Sequence, residues 1–180
     1  MKTNKQLTEN RIKLSKIIYK DMIKSRPTLA GAWVENDKQI MCDEHIAVKY
    51  NTIFEGLVEA SLGDRVNIDY FFENIKNKRI IKVDIERLNI LYKTAKKINK
   101  ELYNIIKIEN IYVKANLFLE VLSTFDDDVN IYIGNWYSFG DNVIYIKNKD
   151  GEGIILPLNK KARIDDNFVL QESMNIEDVK

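Results

Sequence analysis

The stretch AGAWVENDKQIMCDEHIAVK, Ala30 to Lys49, decides the fold. It holds three short extended runs, residues 30–35, 38–42 and 45–49, separated by the pairs Asn36-Asp37 and Asp43-Glu44. Asn and Asp suit two-residue hairpin turns, so the stretch reads as a three-stranded antiparallel meander. A helix precedes it. Thr3 and Gln6 have capping-box spacing, and Leu7, Leu14, Ile18 and Met22 form one apolar stripe that ends near Ser25, ahead of Arg26-Pro27. Lys13, Lys16, Lys20 and Lys24 form a second, cationic stripe beside it.

The C-terminal half repeats that order. Asn116 caps a short helix whose Phe118, Val121, Leu122 and Phe125 share a face, and Asp126-Asp127-Asp128 breaks it. Residues 129–134 then alternate, with Ile131 and Ile133 on one side, and residues 143–147 and 153–158 flank a turn built on Asp150-Gly151. The expected fold is therefore α+β, with two αβββ half-units whose helices pack on one face of an antiparallel sheet. A single domain over residues 1–160 accommodates both.

A helical middle segment, about residues 52–104, is inserted between the halves. It reads as a helix over 69–76, a strand over 79–83 and a helix over 84–102 with Leu88, Leu91, Ala95, Ile98 and Leu102 in register. A hairpin, 105–109 and 111–114, follows. The tail, 161–180, has few apolar positions and ends acidic, so it reads as a frayed or docking segment outside the core.

Composition excludes several classes. Lys and Arg number 28 against 27 Asp and Glu, a formal charge of +1, so any nucleic-acid surface must be local. At 45% hydrophobic and 10% aromatic the chain buries a real core and is not disordered throughout. The single cysteine, Cys42, excludes an intramolecular disulfide and a zinc cage of paired thiolates, and fits a reducing compartment, with the cytoplasm as the expected location. No stretch reads as a secretion signal or a membrane span.

Catalytic motifs are missing as well. No Gly-rich phosphate loop, serine elbow or Cys/His nucleophile pair is found, so a non-enzymatic protein without cofactor or metal is expected. Asp43-Glu44-His45 reads as a hairpin turn rather than a metal site, and Asp126-Asp127-Asp128 as a solvated loop rather than a Mg²⁺ site. Trp33 reads as strand core, and Trp136, Tyr137 and Phe139 as packing or a partner contact, with base stacking as the alternative.

Two strings carry a family resemblance. RPTLAGAWVENDKQIMCDEHIAV, residues 26–48, is similar to the opening helix-to-hairpin stretch of bacterial DNA polymerase III beta subunits, the sliding clamps, and of clamp-like phage proteins. IYVKANLFLEVLSTFDDDVNIYIGNWYSFGDNVIYIKNKDGEGIILPL, residues 111–158, resembles that family's final half-domain. The resemblance implies helices facing duplex phosphates, which gives Lys13, Lys16, Lys20 and Lys24 a role in weak, non-specific contact with double-stranded DNA. It also implies a client-peptide pocket at Leu156, Pro157 and Leu158. The chain departs from the family at Asn159, where a basic residue is common, and in its last helix, which carries Glu120 and no cation. Lys93, Lys96, Lys97 and Lys100 on the central helix could compensate.

The function implied is a non-catalytic clamp-like protein of phage or mobile-element type that binds DNA, a replication client, or both. The alternative is an inhibitor that uses the same scaffold to occupy a host replication or defence protein, for example a CRISPR nuclease, without touching DNA. Family clamps chain three domains per subunit, so this chain either closes a ring by head-to-tail contacts between copies or keeps the fold as a platform. Gln171 to Ile176, QESMNI, loosely fits the pattern of clamp-binding peptides, for its own pocket, a neighbour's or a host clamp's.

Overall fold

The computed structural model describes residues 2–99, 103–136, 141–158 and 164–179. Helix α1 spans Asn4–Met22, and both arms of its capping box form: the Thr3 hydroxyl accepts from the Gln6 amide at 3.2 Å, and the Gln6 carboxamide accepts from the Thr3 amide at 2.8 Å. The helix stops ahead of Pro27, which cannot supply the next amide. Leu7, Leu14, Ile18 and Met22 are buried along one stripe, and Arg11 and Ser15 are buried with them.

Strands β1 (Ala32–Glu35), β2 (Lys38–Cys42) and β3 (Ile46–Tyr50) form an antiparallel meander. Asn36 and Asp37 take φ of 50° and 59° in the first turn, the left-handed pair that matches strand twist. At the second turn the Asp43 carboxylate accepts from the His45 and Ile46 amides at 2.6 and 2.8 Å. After α2 (Ile68–Glu73), β4 (Ile75–Ile81) and α3 (Ile85–Ile98), a hairpin of β5 (Ile105–Ile108) and β6 (Ile111–Lys114) leads into α4 (Ala115–Ser123). A second antiparallel meander follows, β7 (Asn130–Trp136), β8 (Asp141–Asn148) and β9 (Gly151–Ile155).

The result is α+β, with a seven-stranded antiparallel sheet in the order β1-β2-β3-β9-β8-β7-β4. The two meanders meet where β3 and β9 pair antiparallel, from Ile46 opposite Ile155 to Tyr50 opposite Gly151. Gly151 is required there, because a Cβ would lie 2.2 Å from the Lys49 carbonyl oxygen.

Alternation on β3 separates the two faces. Tyr50 points toward α1 and α4, which pack against each other, and its ring meets Phe125 at 5.5 Å. Lys49 points the other way, toward α2, where it pairs with Asp69 at 2.6 Å. Phe72 of α2 meets Tyr145, and Phe71 meets Trp136, on that same outer face.

Three expectations need correction. The strand expected over 153–158 ends at Ile155, and it lies at the sheet centre, because β3 and β8 pair with both its sides. Beyond it the Leu156 amide still donates to the His45 carbonyl, Pro157 has no amide, and the Leu158 amide crosses to the Tyr112 carbonyl of β6. The strand expected over 79–83 begins earlier, at Ile75, and pairs with β7 with a shift between Lys76 and Arg79 around Asn77, whose φ is 51°. The tail is not outside the core. Val169 and Leu170 form β10 (Val169–Leu170), parallel to β5 in a three-stranded sheet, and both are essentially fully buried. Leu102 of the expected central-helix stripe lies outside the described residues, and α3 itself ends at Ile98.

Arg11 is the polar centre of the helical face. Its guanidinium lies 4.1 Å from the Tyr50 ring centroid and 3.9 Å from that of Phe54, and Nε donates to the Thr124 carbonyl at 3.0 Å. The Tyr50 hydroxyl donates to Thr124 Oγ1 at 2.7 Å, which donates to the Val121 carbonyl at 2.7 Å. Burial lowers the Arg11 pKa and pushes Tyr50 up to about 12, yet the guanidinium keeps its charge and the phenol its proton. Replacing Arg11 by Ala leaves the Thr124 carbonyl without its donor and opens a cavity between two rings, which should cost roughly 2–4 kcal/mol in urea unfolding. Arg11→Met fills the space and should cost less. Equal stability of R11A and the wild type would show that this stack does not hold the halves together.

Candidate functional site

Lys13, Lys16 and Lys20 of α1, and Lys24 after it, remain on the surface, but their surroundings differ. Lys13 is ion-paired with Glu120 of α4, the residue across the helix pair. Lys16, Lys20 and Lys24 have no carboxylate at ion-pair distance among the described residues. Lys24 lies just beyond the last turn of α1, whose C-terminal carbonyls favour a cation.

Lys13 also borders a groove of about 660 Å³ between α1, α3 and α4. Lys2, Lys13 and Lys93 line it against Glu86, Glu120, Asp126 and Asp127, so carboxylates outnumber ammonium groups. The central helix therefore brings Lys93 to the groove without making it cationic. Lys96 is engaged by Asn104 and lies over the Tyr92 ring, Lys97 is exposed, and Lys100 lies outside the described residues. Phosphates would meet a favourable field at Lys16, Lys20 and Lys24 and an unfavourable one toward Glu120.

Leu156, Pro157 and Leu158 are each half-buried and do not act as one surface. Leu156 lines a small apolar cavity of about 170 Å³ together with Ala47, Val66, Ile68, Phe71 and Trp136. That volume suits one aliphatic side chain and falls short of an ordinary small-molecule site. Pro157 and Leu158 continue toward β6. Asn159, and the aromatic residues Tyr137 and Phe139 next to Trp136, lie outside the described residues.

Two further polar groups were visible in the sequence only as spacing. Arg11 stands four residues after Leu7 and three before Leu14, so the apolar stripe itself marks it as inward. Lys49 is 7% exposed at its side chain, pairs with Asp69 and Glu152 at 2.6 and 2.9 Å, and sits 4.7 Å from the Phe72 centroid. The Tyr145 hydroxyl donates to the other Glu152 oxygen at 2.6 Å.

Burial and the neighbouring Asp43 push the Cys42 thiol up to about 12, so it stays protonated near neutrality. Asp126 accepts from the Lys2 and Asp127 amides, and Lys2 Nζ reaches Asp127 at 3.4 Å, so this break is tied to the N-terminus. Among the described residues no group of His, Cys, Asp and Glu has the geometry of a metal site, and no helix is long and apolar enough to cross a membrane.

No family model, curated protein or solved structure matches this chain.

The Lys49 cluster makes the docking of α2 depend on pH. Asp69 titrates below its usual value chiefly through the hydrogen bond from Lys49. Burial alone would raise Glu152, but hydrogen bonds from Tyr145 and Lys49 hold it below its usual value too. Depressed carboxylates contribute stability that is present above their unfolded values, near ~4, and lost as pH falls through the folded ones. The urea midpoint should therefore drop below about pH 4, and Asp69→Asn should lower it at neutral pH and flatten that drop. An equally steep acid limb in D69N would remove Asp69 from the linkage.

Proposed function

We propose that the chain is a non-catalytic, clamp-like binding protein of replication, which contacts duplex DNA through α1 and offers a separate surface to a protein client. The observation that carries this reading is the strand order. Two antiparallel meanders, each preceded by a helix, join at β3 and β9, and their helices α1 and α4 pack together on one face. That order is what the resemblance to sliding clamps leads one to expect, and it supports kinship where sequence similarity is weak.

Within this reading the DNA contact narrows to Lys16, Lys20 and Lys24, since Glu120 already neutralises Lys13. Leu156 with its apolar cavity is the anchor for a single client side chain, and Pro157 and Leu158 lead the chain away from it toward β6. One domain cannot encircle DNA, so encirclement requires several copies in head-to-tail contact. The groove beside Lys13, whose charges nearly balance, favours a second reading, an inhibitor or modulator of phage or mobile-element origin that grips a host replication or defence protein on this helical face and needs no DNA.

Duplex binding followed by fluorescence anisotropy against salt separates the two. Three neutralised phosphates give a slope of about −3 in log K against log salt. Reversing Lys16, Lys20 and Lys24 to Glu should weaken binding at least ~10-fold, while the charge-conserving double change Lys13→Gln with Glu120→Gln should change it little because that pair is already net neutral. Binding indifferent to the triple reversal would reject the DNA surface. For the second reading, a nuclease-treated host-lysate pull-down should return one protein in stoichiometric yield, and an empty eluate would count against it.

A further inference from the structure

The outer face of the large sheet is covered unevenly. Helix α2 lies over β3, β9 and the Trp136 end of β7, and Tyr145 of β8 is buried beneath Phe72 and Lys78, whereas the part of β4 and β7 around Ile80 is open, with Ile80 58% exposed. Register sets Tyr145, Tyr132 and Ile80 in one row across these strands. Lys78 precedes Ile80 by two residues, Lys82 follows it by two, and Lys147 follows Tyr145 by two, so all three lysines share the open face or its margin.

Lys78 and Lys147 feel Glu152 only from beyond ion-pair distance. Lys78, Lys82 and Lys147 have no carboxylate at ion-pair distance among the described residues, while Glu152 is held by Lys49 and Tyr145. The Lys78 chain crosses β7 at Gly134, where a Cβ would lie 3.4 Å from its Cγ and 2.4 Å from an Ile75 methyl, and its ammonium ends 4.2 Å from the Tyr145 centroid. Arg79 points to the opposite face, where it binds Glu109 through both guanidinium nitrogens at 2.9 and 2.6 Å.

β4 is also the last strand of its sheet, and its outer edge has no backbone partner among the described residues. Lysines beside an open edge ordinarily deter pairing, because an incoming strand must bury ammonium groups without counter-charge. A strand that brings carboxylates removes that penalty. Exposed Ile80 adds an apolar anchor that a purely protective edge would lack.

We propose that β4 and the adjoining outer face are a docking site for an extended, acidic peptide segment of a partner protein. The segment adds alongside residues 79–81, sets its carboxylates against Lys78, Lys82 and Lys147, and lays an apolar side chain on Ile80 and Tyr132. The mode is strand addition, with backbone bonds supplying affinity and the lysines selecting sequence. It involves neither the α1 lysines nor Leu156, so it stands or falls apart from the DNA reading.

The test uses the full chain and a fluorescein-labelled peptide in which Glu and Val alternate. Comparators are the same peptide with Lys for Glu, a version with proline at alternate positions, and oligothymidylate of about 15 nucleotides. Expected are binding of the acidic peptide alone, exchange protection of the 79–81 amides on binding, and at least ~10-fold weakening in the K78E/K147E protein. Lys82→Glu, beyond the strand, repeats the test without disturbing the Lys78–Tyr145 contact. No binding at ~1 mM peptide, or binding unaffected by both K82E and K78E/K147E, overturns the proposal. Tighter capture of oligothymidylate by the same lysines overturns it in favour of a polyanion surface, and self-association abolished by K78E/K147E overturns it in favour of a second copy.

Discussion

A charged group enclosed among aromatic rings fixes how the two halves of this molecule meet. Arg11 reaches from α1 between Tyr50 of β3 and Phe54, and its Nε closes on the Thr124 carbonyl at the end of α4. A guanidinium tolerates such a place because it is weakly hydrated, stacks on ring faces and has donors in one plane to spend on backbone oxygen. Each partner comes from a different part of the chain, so the stack forms only once the first helix, the first meander and the second helix are all in position. Apolar packing alone would allow α1 to slide along α4. A buried guanidinium bonded to the Thr124 carbonyl resists that slide, because a slipped arrangement breaks the bond and leaves both groups unpaired.

The same strand carries a second polar constraint on its other side. Tyr50 engages the helical face and Lys49, one residue earlier, engages α2 through Asp69 and the second meander through Glu152. A one-residue slip of β3 would exchange these side chains, driving an ammonium into the Phe125 side of the core. Register at the β3–β9 seam is thus specified from both faces, and Gly151 permits the close backbone approach at its end. Site geometry follows from this. Because α1 and α4 are held together, Glu120 faces Lys13, and the cationic stripe is shortened by one member.

Much of the architecture was legible because its signals are local. The capping box at Thr3 and Gln6, the Asn36-Asp37 turn and the alternation at Ile131 and Ile133 each report on their own neighbours, and each forms as spacing suggests. What escaped depends on residues distant in sequence. Ile75 to Lys78 join a strand because β7 offers them an edge, and Val169 and Leu170 are buried because β5 lies beside them, although a charged, Asn-rich and partly acidic sequence surrounds both. The lysine stripe on α1 could be drawn from helical periodicity, but the neutralisation of Lys13 by a residue 107 positions away could not. Leu156, Pro157 and Leu158 are adjacent in sequence, yet the chain leaves the sheet at Pro157 and divides them between a cavity and β6.

The middle segment then makes the two ends of the sheet unlike. At the β1 end, the chain around Glu59 returns and bonds to both the amide and the carbonyl of Ala32, which seals part of that edge. At the other end the segment supplies β4, a strand whose residues from Lys76 to Ile80 are exposed, and sends α2 over the far part of the outer face. An antiparallel pair of meanders with nothing between them would present two similar edges and invite open-ended growth of the sheet. Here one edge is partly occupied by the chain itself and the other is guarded by lysines. The two ends of the sheet thus expose different surfaces, and the difference comes from the middle segment and not from the meanders.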